Sequence, residues 1–104
     1  MAIVAVSISP VGEGTSVSEH VAAALAVVRD QDRVRWRLDP MFTTLEGDVD
    51  EIFALVRRMQ EAVFSAGAER VGTVIKMDER RDRDVRMEEK VENVRKRVGK
   101  VASD

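Results

Sequence analysis

Apolar side chains recur at every second position in four short segments of the chain, which is the spacing typical of β-strands. The first segment, 2–9, is rich in Val and Ile and is largely apolar on both alternating sides, as expected of a strand covered on both faces. The second, 33–38, alternates Arg with apolar residues and predicts a half-buried strand. An Asp-Pro turn leads into a third strand over 41–46, and the fourth covers 71–77.

A different spacing, of three and four residues, predicts two helices between these strands. The first helix opens on the sequence 16–19, Ser-Val-Ser-Glu, which matches a capping box led by Ser16. The second begins after Asp48, with Glu51 as the capping partner. The apolar residues expected on the inner face of the second helix are Val49, Ile52, Phe53, Val56, Met59 and Val63.

The resulting order, β-α-β-β-α-β, predicts an α+β, ferredoxin-like sandwich in one domain, 1–104. Right-handed crossovers place both helices on one face of an antiparallel sheet with strand order 4-1-3-2. Since strands 1 and 4 are also apolar on the other side, we expect another subunit to cover the helix-free face. A charged loop, 78–84, then precedes a third helix at about 85–100. Its narrow apolar seam would pack on a neighbouring subunit or back on its own sheet.

Composition narrows the function classes. The chain of 104 residues has 17 Lys and Arg against 19 Asp and Glu, which argues against a general nucleic-acid binder. It has no Cys and one His, so we expect no thiol nucleophile, no metal site and no cofactor. The lone His20 is read as a boundary residue rather than a catalyst. No segment is apolar for long enough to span a bilayer and no basic leader is apparent, so we expect a cytoplasmic protein without a membrane partner.

Polar residues on the predicted third strand are the main candidates for a binding site. Thr43, Thr44 and Glu46 lie on a strand that should be well covered, and Ser7 lies on its neighbour. A buried Glu is rare unless it is paired or hydrogen-bonded. Two interpretations stay open: Glu46 reaches solvent from the strand end, or these groups form a small polar pocket beside apolar walls.

Three arginines, Arg33, Arg35 and Arg37, form a basic stripe on the predicted second strand. RNA-binding domains of this topology add stacking aromatic residues to the central strands, and these are missing here. We therefore interpret the stripe as protection of a sheet edge and as a place for pairing between subunits, and we rank RNA binding low.

Four ordered blocks spanning most of the chain, from about Ile3 to Val98, resemble the small thiamine-binding, YkoF-like protein family. In this sequence the blocks read Pro10-x-Gly12-x-Gly14-x-Ser16-x-Ser18, then Pro40-Met41-x-Thr43-x-x-Glu46-Gly47-Asp48, then Glu61-Ala62-x-Phe64-x-Ala66-Gly67-Ala68-x-Arg70-Val71, and finally Ile75-Lys76-Met77-Asp78-Glu79-Arg80-Arg81-Asp82. One departure is Gln60, which stands where many relatives have His.

The resemblance implies a cytoplasmic homotetramer, a dimer of dimers, that binds thiamine or its hydroxymethylpyrimidine portion without catalysing a reaction. Glu46 would then accept a hydrogen bond from the exocyclic amine, and Thr43 or Ser7 would donate to a ring nitrogen. Thr44 completes the polar set, and Trp36 or Phe42 would form a wall for the thiazolium cation. The alternative is a structural or regulatory oligomerisation module without thiamine specificity, in which the hydroxyls and Glu46 satisfy one another across an interface.

Overall fold

The strands and helices follow one another in the predicted order in the computed structural model, which describes residues 1–12, 14 and 17–99. The elements are β1 (Ala2–Pro10), α1 (Ser18–Arg29), β2 (Arg35–Leu38), β3 (Thr43–Gly47), α2 (Val49–Ser65), β4 (Val71–Glu79) and α3 (Met87–Val98).

The four strands form one antiparallel sheet in the order β2-β3-β1-β4, which is the predicted order written in reverse. In this register Val4 of β1 lies between Leu45 of β3 and Met77 of β4. The prediction of a ferredoxin-like sandwich is therefore confirmed. No helix in the described part of the chain is both long and apolar enough to cross a membrane.

The core lies between the sheet and the helices α1 and α2. Alternate residues of β1 are buried there, against Leu45 of β3 and against Ile52 and Leu55 of α2. The prediction that Phe53 belongs to this inner face is wrong, because its side chain is 50% exposed while Leu55 is fully buried. At about 100° per residue, Phe53 lies a quarter-turn from Ile52 and faces outward.

The two helix starts differ in how they are capped. Asp48 accepts a hydrogen bond from the Glu51 N–H at 3.2 Å, as predicted for the N-cap of α2. The predicted capping residue of α1, Ser16, lies outside the described residues. The structure begins α1 at Ser18, and the preceding Val17 provides no side-chain cap.

The edge strand β2 is shorter and more exposed than its alternating pattern predicts. It begins at Arg35, and all four of its residues are exposed, Trp36 and Leu38 included. The prediction of a half-buried strand is therefore wrong, and the next strand inward, β3, carries the buried residues instead.

The helix-free face of the sheet is partly covered by the chain itself. The strand β4 continues to Glu79, beyond its predicted end, and the chain then returns so that Val85 and Met87 are buried. Further along α3 the apolar seam is exposed, with Val94 56% and Val98 68% accessible. The first turn of α3 therefore folds back on the sheet of its own chain, which is one of the two predicted arrangements.

Candidate ligand-binding site

A cavity of about 340 Å³ opens beside α1 at one end of the sheet. This volume falls in the range of about 300–1,000 Å³ that is usual for small-molecule sites. Among the described residues, most of its wall is apolar, and the polar members are two serines, one threonine and one aspartate. The lining residues are Val6, Ser7, Ile8, Ser9, Val17, Val21, Ala24, Leu25, Leu38, Asp39, Pro40, Met41, Phe42, Thr43 and Met59.

Unequal strand lengths create this cavity. The ladder between β1 and β3 ends at the pair Val6 and Thr43, whereas β1 stays paired with β4 as far as Pro10. The last residues of β1 therefore have no neighbour on the β3 side. The turn between β2 and β3 fills part of that gap, and the Asp39 N–H donates to the Phe42 carbonyl at 2.9 Å to close it. The space left between this turn and α1 is the cavity.

Asp39 is the one charged residue among the described residues that line the cavity. Its carboxylate accepts a hydrogen bond from the Thr44 hydroxyl at 3.0 Å and from Arg37 Nε at 3.3 Å, so its orientation is fixed. Arg37 and Thr44 themselves do not line the cavity. From its sequence context Asp39 is expected only as a turn residue, because its place directly before Pro40 gives no signal beyond that role.

The structure brings two of the five predicted site residues to the cavity, Ser7 and Thr43. Thr43 is only 7% exposed. The other three, Thr44, Glu46 and Trp36, do not line it. Thr44 and Glu46 lie away from the cavity because side chains alternate along β3, so these two point to the face opposite Thr43. Trp36 lies on the edge strand and is 39% exposed.

Glu46 is buried beneath the start of α3. It is 3% exposed, so the interpretation that it reaches solvent from the strand end is wrong. One carboxylate oxygen accepts from the Met87 N–H at 2.7 Å, and the other from Arg35 Nη1 at 2.6 Å. Met87 opens α3, where backbone N–H groups lack helical partners and attract a carboxylate. In this structure Glu46 joins the sheet to the first turn of α3.

Two ion pairs support the same junction at its exposed rim. Arg35 donates to both oxygens of Glu88 at 3.0 and 3.2 Å, and these bonds lower the pKa of Glu88 and raise that of Arg35. Lys90 is paired with Asp78 of β4 and lowers the pKa of that carboxyl. Because these groups are solvent-exposed, they orient α3 more than they stabilise it.

Gln60 lies away from the cavity. Its Nε2 donates to Thr73 Oγ1 at 2.9 Å, which links α2 to β4. The departure noted at this position therefore affects helix–sheet contact rather than the cavity wall.

The described residues also contain no group of three or more His, Cys, Asp or Glu side chains that could hold a metal ion.

Comparisons with known proteins agree with this fold. The chain is 37% identical over 102 residues to the UPF0045 protein YqgV of Bacillus subtilis, covering 94% of this chain and 98% of YqgV. The structure of MJ1052 from Methanocaldococcus jannaschii superimposes with a TM-score of 0.81 at 34% identity, covering 89% of this chain and 94% of that one.

A more distant structure shows the same fold. It is a Thermotoga maritima protein named as a candidate for thiamine biosynthesis or salvage, with a TM-score of 0.77 at 22% identity over 90% of this chain and 98% of that one. The model of a family described as thiamine-binding protein matches residues 4–95. The resemblance noted in the sequence is thereby confirmed, and the chain belongs to the thiamine-binding protein family.

Proposed function

We propose that the chain binds thiamine or its hydroxymethylpyrimidine portion, without transforming it, in the cavity between α1 and the turn joining β2 to β3. The observation that carries the proposal is the cavity itself. In the part of the chain that the structure describes, the wall of this cavity of about 340 Å³ combines apolar side chains with two serines, one threonine and one carboxylate. A few fixed polar groups in an apolar cavity are typical of small-molecule recognition. Membership in a family described as thiamine-binding supports this choice of ligand.

The chemistry of the cavity suits an aminopyrimidine. Such a ring offers an exocyclic amine as donor and ring nitrogens as acceptors, so hydroxyls and a carboxylate can read its edge. The proposal assigns hydroxyl contacts to Thr43 and Ser7 and a carboxylate contact to Asp39. Phe42 supplies an aromatic surface beside them, which favours the thiazolium cation.

Binding without reaction is consistent with the same lining. General acid–base and nucleophilic catalysis depend on a base positioned next to a reacting group, usually with a second residue that orients it. Among the described lining residues, Asp39 is the one titratable side chain, and its hydrogen bonds go to Thr44 and Arg37. This arrangement supports a role in recognition.

Contact between the ligand and Thr44, Glu46 or Trp36 stays a prediction. For Glu46 to accept from a ligand amine, it would have to release Arg35 or the Met87 N–H. Within the proposed function, Glu46 acts instead by holding α3 on the sheet.

Calorimetry with thiamine tests the cavity assignment through Thr43→Val, which removes the hydroxyl while keeping the side-chain shape. We expect at least a ten-fold loss of affinity, equal to about 1.4 kcal/mol, because a buried hydrogen bond to the ligand is lost. The matched control is Thr73→Val, the same change on a strand residue outside the cavity, and it should bind like the wild type. Equal affinities for the two variants would contradict the assignment.

We further propose that the protein works in the cytoplasm as a homotetramer, a dimer of dimers. Support comes from apolar side chains that a single chain leaves exposed on β2, β4 and α3. Sedimentation should find a species of four chains at micromolar concentration, and a stable monomer would contradict this assembly. The exposed residues concerned are Trp36, Leu38, Val74, Val91, Val94 and Val98.

The alternative function is an oligomerisation module without thiamine specificity. One observation favours it, namely the exposed apolar seam of α3. It predicts the same assembly but no saturable heat with thiamine or hydroxymethylpyrimidine in folded protein. The calorimetric experiment therefore separates the two functions.

A further inference from the structure

We infer that Met41 is a site of reversible oxidation by hydrogen peroxide, and that its sulfoxide form lowers the affinity of the cavity for thiamine. The inference rests on the proposed function and adds a means of regulating it. It follows from the position of Met41 in the cavity wall and from the protection of the other methionines.

Met41 lies in the wall of the cavity and is open to solvent. It follows Pro40 in the turn that joins β2 to β3, and both residues line the cavity. Met41 is 78% exposed, which is the highest value among the large apolar residues in the described part of the chain. A peroxide molecule in water can therefore reach the sulfur without any opening of the fold.

The other methionines are less accessible, and all five of the chain lie in the part that the structure describes. Met59 and Met87 are buried, at 3% and 4% exposure, and Met1 and Met77 are half-buried. Met59 also lines the cavity, but it belongs to the buried core, which shields its sulfur. Dilute peroxide should therefore oxidise Met41 first.

The reaction transfers one oxygen atom to the thioether. A lone pair of the Met41 sulfur forms the S–O bond while the O–O bond of hydrogen peroxide breaks, and the second oxygen leaves as water with both protons. The sulfur is oxidised by two electrons and the peroxide is reduced. Methionine sulfoxide reductases reverse the change at the expense of a thiol reductant.

The sulfoxide alters the chemical character of the wall. A thioether is apolar and packs well against aromatic rings, whereas a sulfoxide oxygen is a polar acceptor that holds water. A ligand that covers the wall has to displace this water, and the neighbouring side chains of Asp39, Pro40 and Phe42 offer no donor to replace it. The turn should persist, because the bond from the Asp39 N–H to the Phe42 carbonyl that closes it does not involve the Met41 side chain.

The test measures thiamine binding by calorimetry before and after treatment with dilute hydrogen peroxide, which is removed before thiamine is added. Mass spectrometry of peptides identifies the methionine that has gained oxygen. The treated wild type should carry the oxygen on Met41 and bind thiamine about five- to ten-fold more weakly. A methionine sulfoxide reductase should restore the affinity.

Three variants isolate the effect of the Met41 sulfur. Met41→Leu keeps an apolar side chain but lacks the sulfur, so its affinity after treatment should equal its affinity before. Met77→Leu, the same change at a half-buried position that does not line the cavity, should lose affinity on treatment as the wild type does. Met41→Gln, which makes the side chain permanently polar, should bind as weakly as the oxidised wild type.

The outcomes separate this inference from the function on which it rests. Oxidation of Met41 that leaves the affinity unchanged, or oxidation of Met1 or Met77 before Met41, would overturn it and leave the thiamine site in place. An equal loss in treated wild type and treated Met41→Leu would do the same. If a variant does not fold, the comparison of oxidised with reductase-treated wild type decides. Absence of saturable thiamine binding by untreated protein would contradict the proposed function, and the inference with it.

Discussion

Replacing Glu46 with alanine is expected to release the first turn of α3 and to lower the free energy of unfolding by about 1.5–3 kcal/mol. The carboxylate is buried and accepts from Arg35 Nη1 at 2.6 Å and from the Met87 N–H at 2.7 Å. Its loss leaves the Met87 N–H without an acceptor at a buried helix start. Urea denaturation measures the loss of stability, and amide exchange at Met87 reports the release directly.

Glu88→Ala is the matched control for this change. It removes the other carboxylate bound to Arg35, but Glu88 is solvent-exposed, so its loss should cost less than about 1 kcal/mol. Unaltered exchange at Met87 in Glu46→Ala would contradict the role given to Glu46.

The same variant also tests the ligand contact predicted from sequence. A folded Glu46→Ala protein that no longer binds thiamine would favour that contact over the cavity assignment.

The largest change in stability is expected from Leu55→Ala. Leu55 is fully buried between α2 and the sheet, and truncating such a residue removes apolar contacts and leaves a space, at a cost of about 2–5 kcal/mol. Phe53→Ala removes a larger side chain from the same helix, but Phe53 is 50% exposed, so we expect a smaller loss. Urea denaturation of both variants measures the difference.

Because the two residues are so close on one helix, their comparison tests which face of α2 contacts the core. A larger loss of stability in Phe53→Ala than in Leu55→Ala would place the core on the face predicted from sequence rather than on the face in the structure.

The element order and the strand order could be predicted from sequence because both follow from periodicity and from the handedness of crossovers. The boundary of the apolar face on α2 could not. Phe53 and Leu55 are both apolar neighbours of Ile52, and the sequence does not determine which of them the sheet covers. The exposure of β2 was missed for a related reason: alternation shows that a strand has two sides, but not whether helices reach either side.

Part of the cavity lining could be predicted from sequence. Ser7 and Thr43 stand out as polar residues on apolar strands, and both line the cavity, while their contact with a ligand stays a prediction. Asp39 was missed because an Asp before Pro is fully explained as a turn residue. The backbone partner of Glu46, the Met87 N–H, lies 41 residues further along the chain, beyond a charged loop whose path the sequence does not determine.

The central claim is that thiamine occupies the cavity beside α1, and a titration of the backbone amide signals with thiamine tests it most directly. The account predicts that saturable shifts concentrate on Ser7, Ser9, Phe42 and Thr43, with little change at Met87. Shifts centred on Glu46 and the first turn of α3, or no saturable shifts in folded protein, would contradict it.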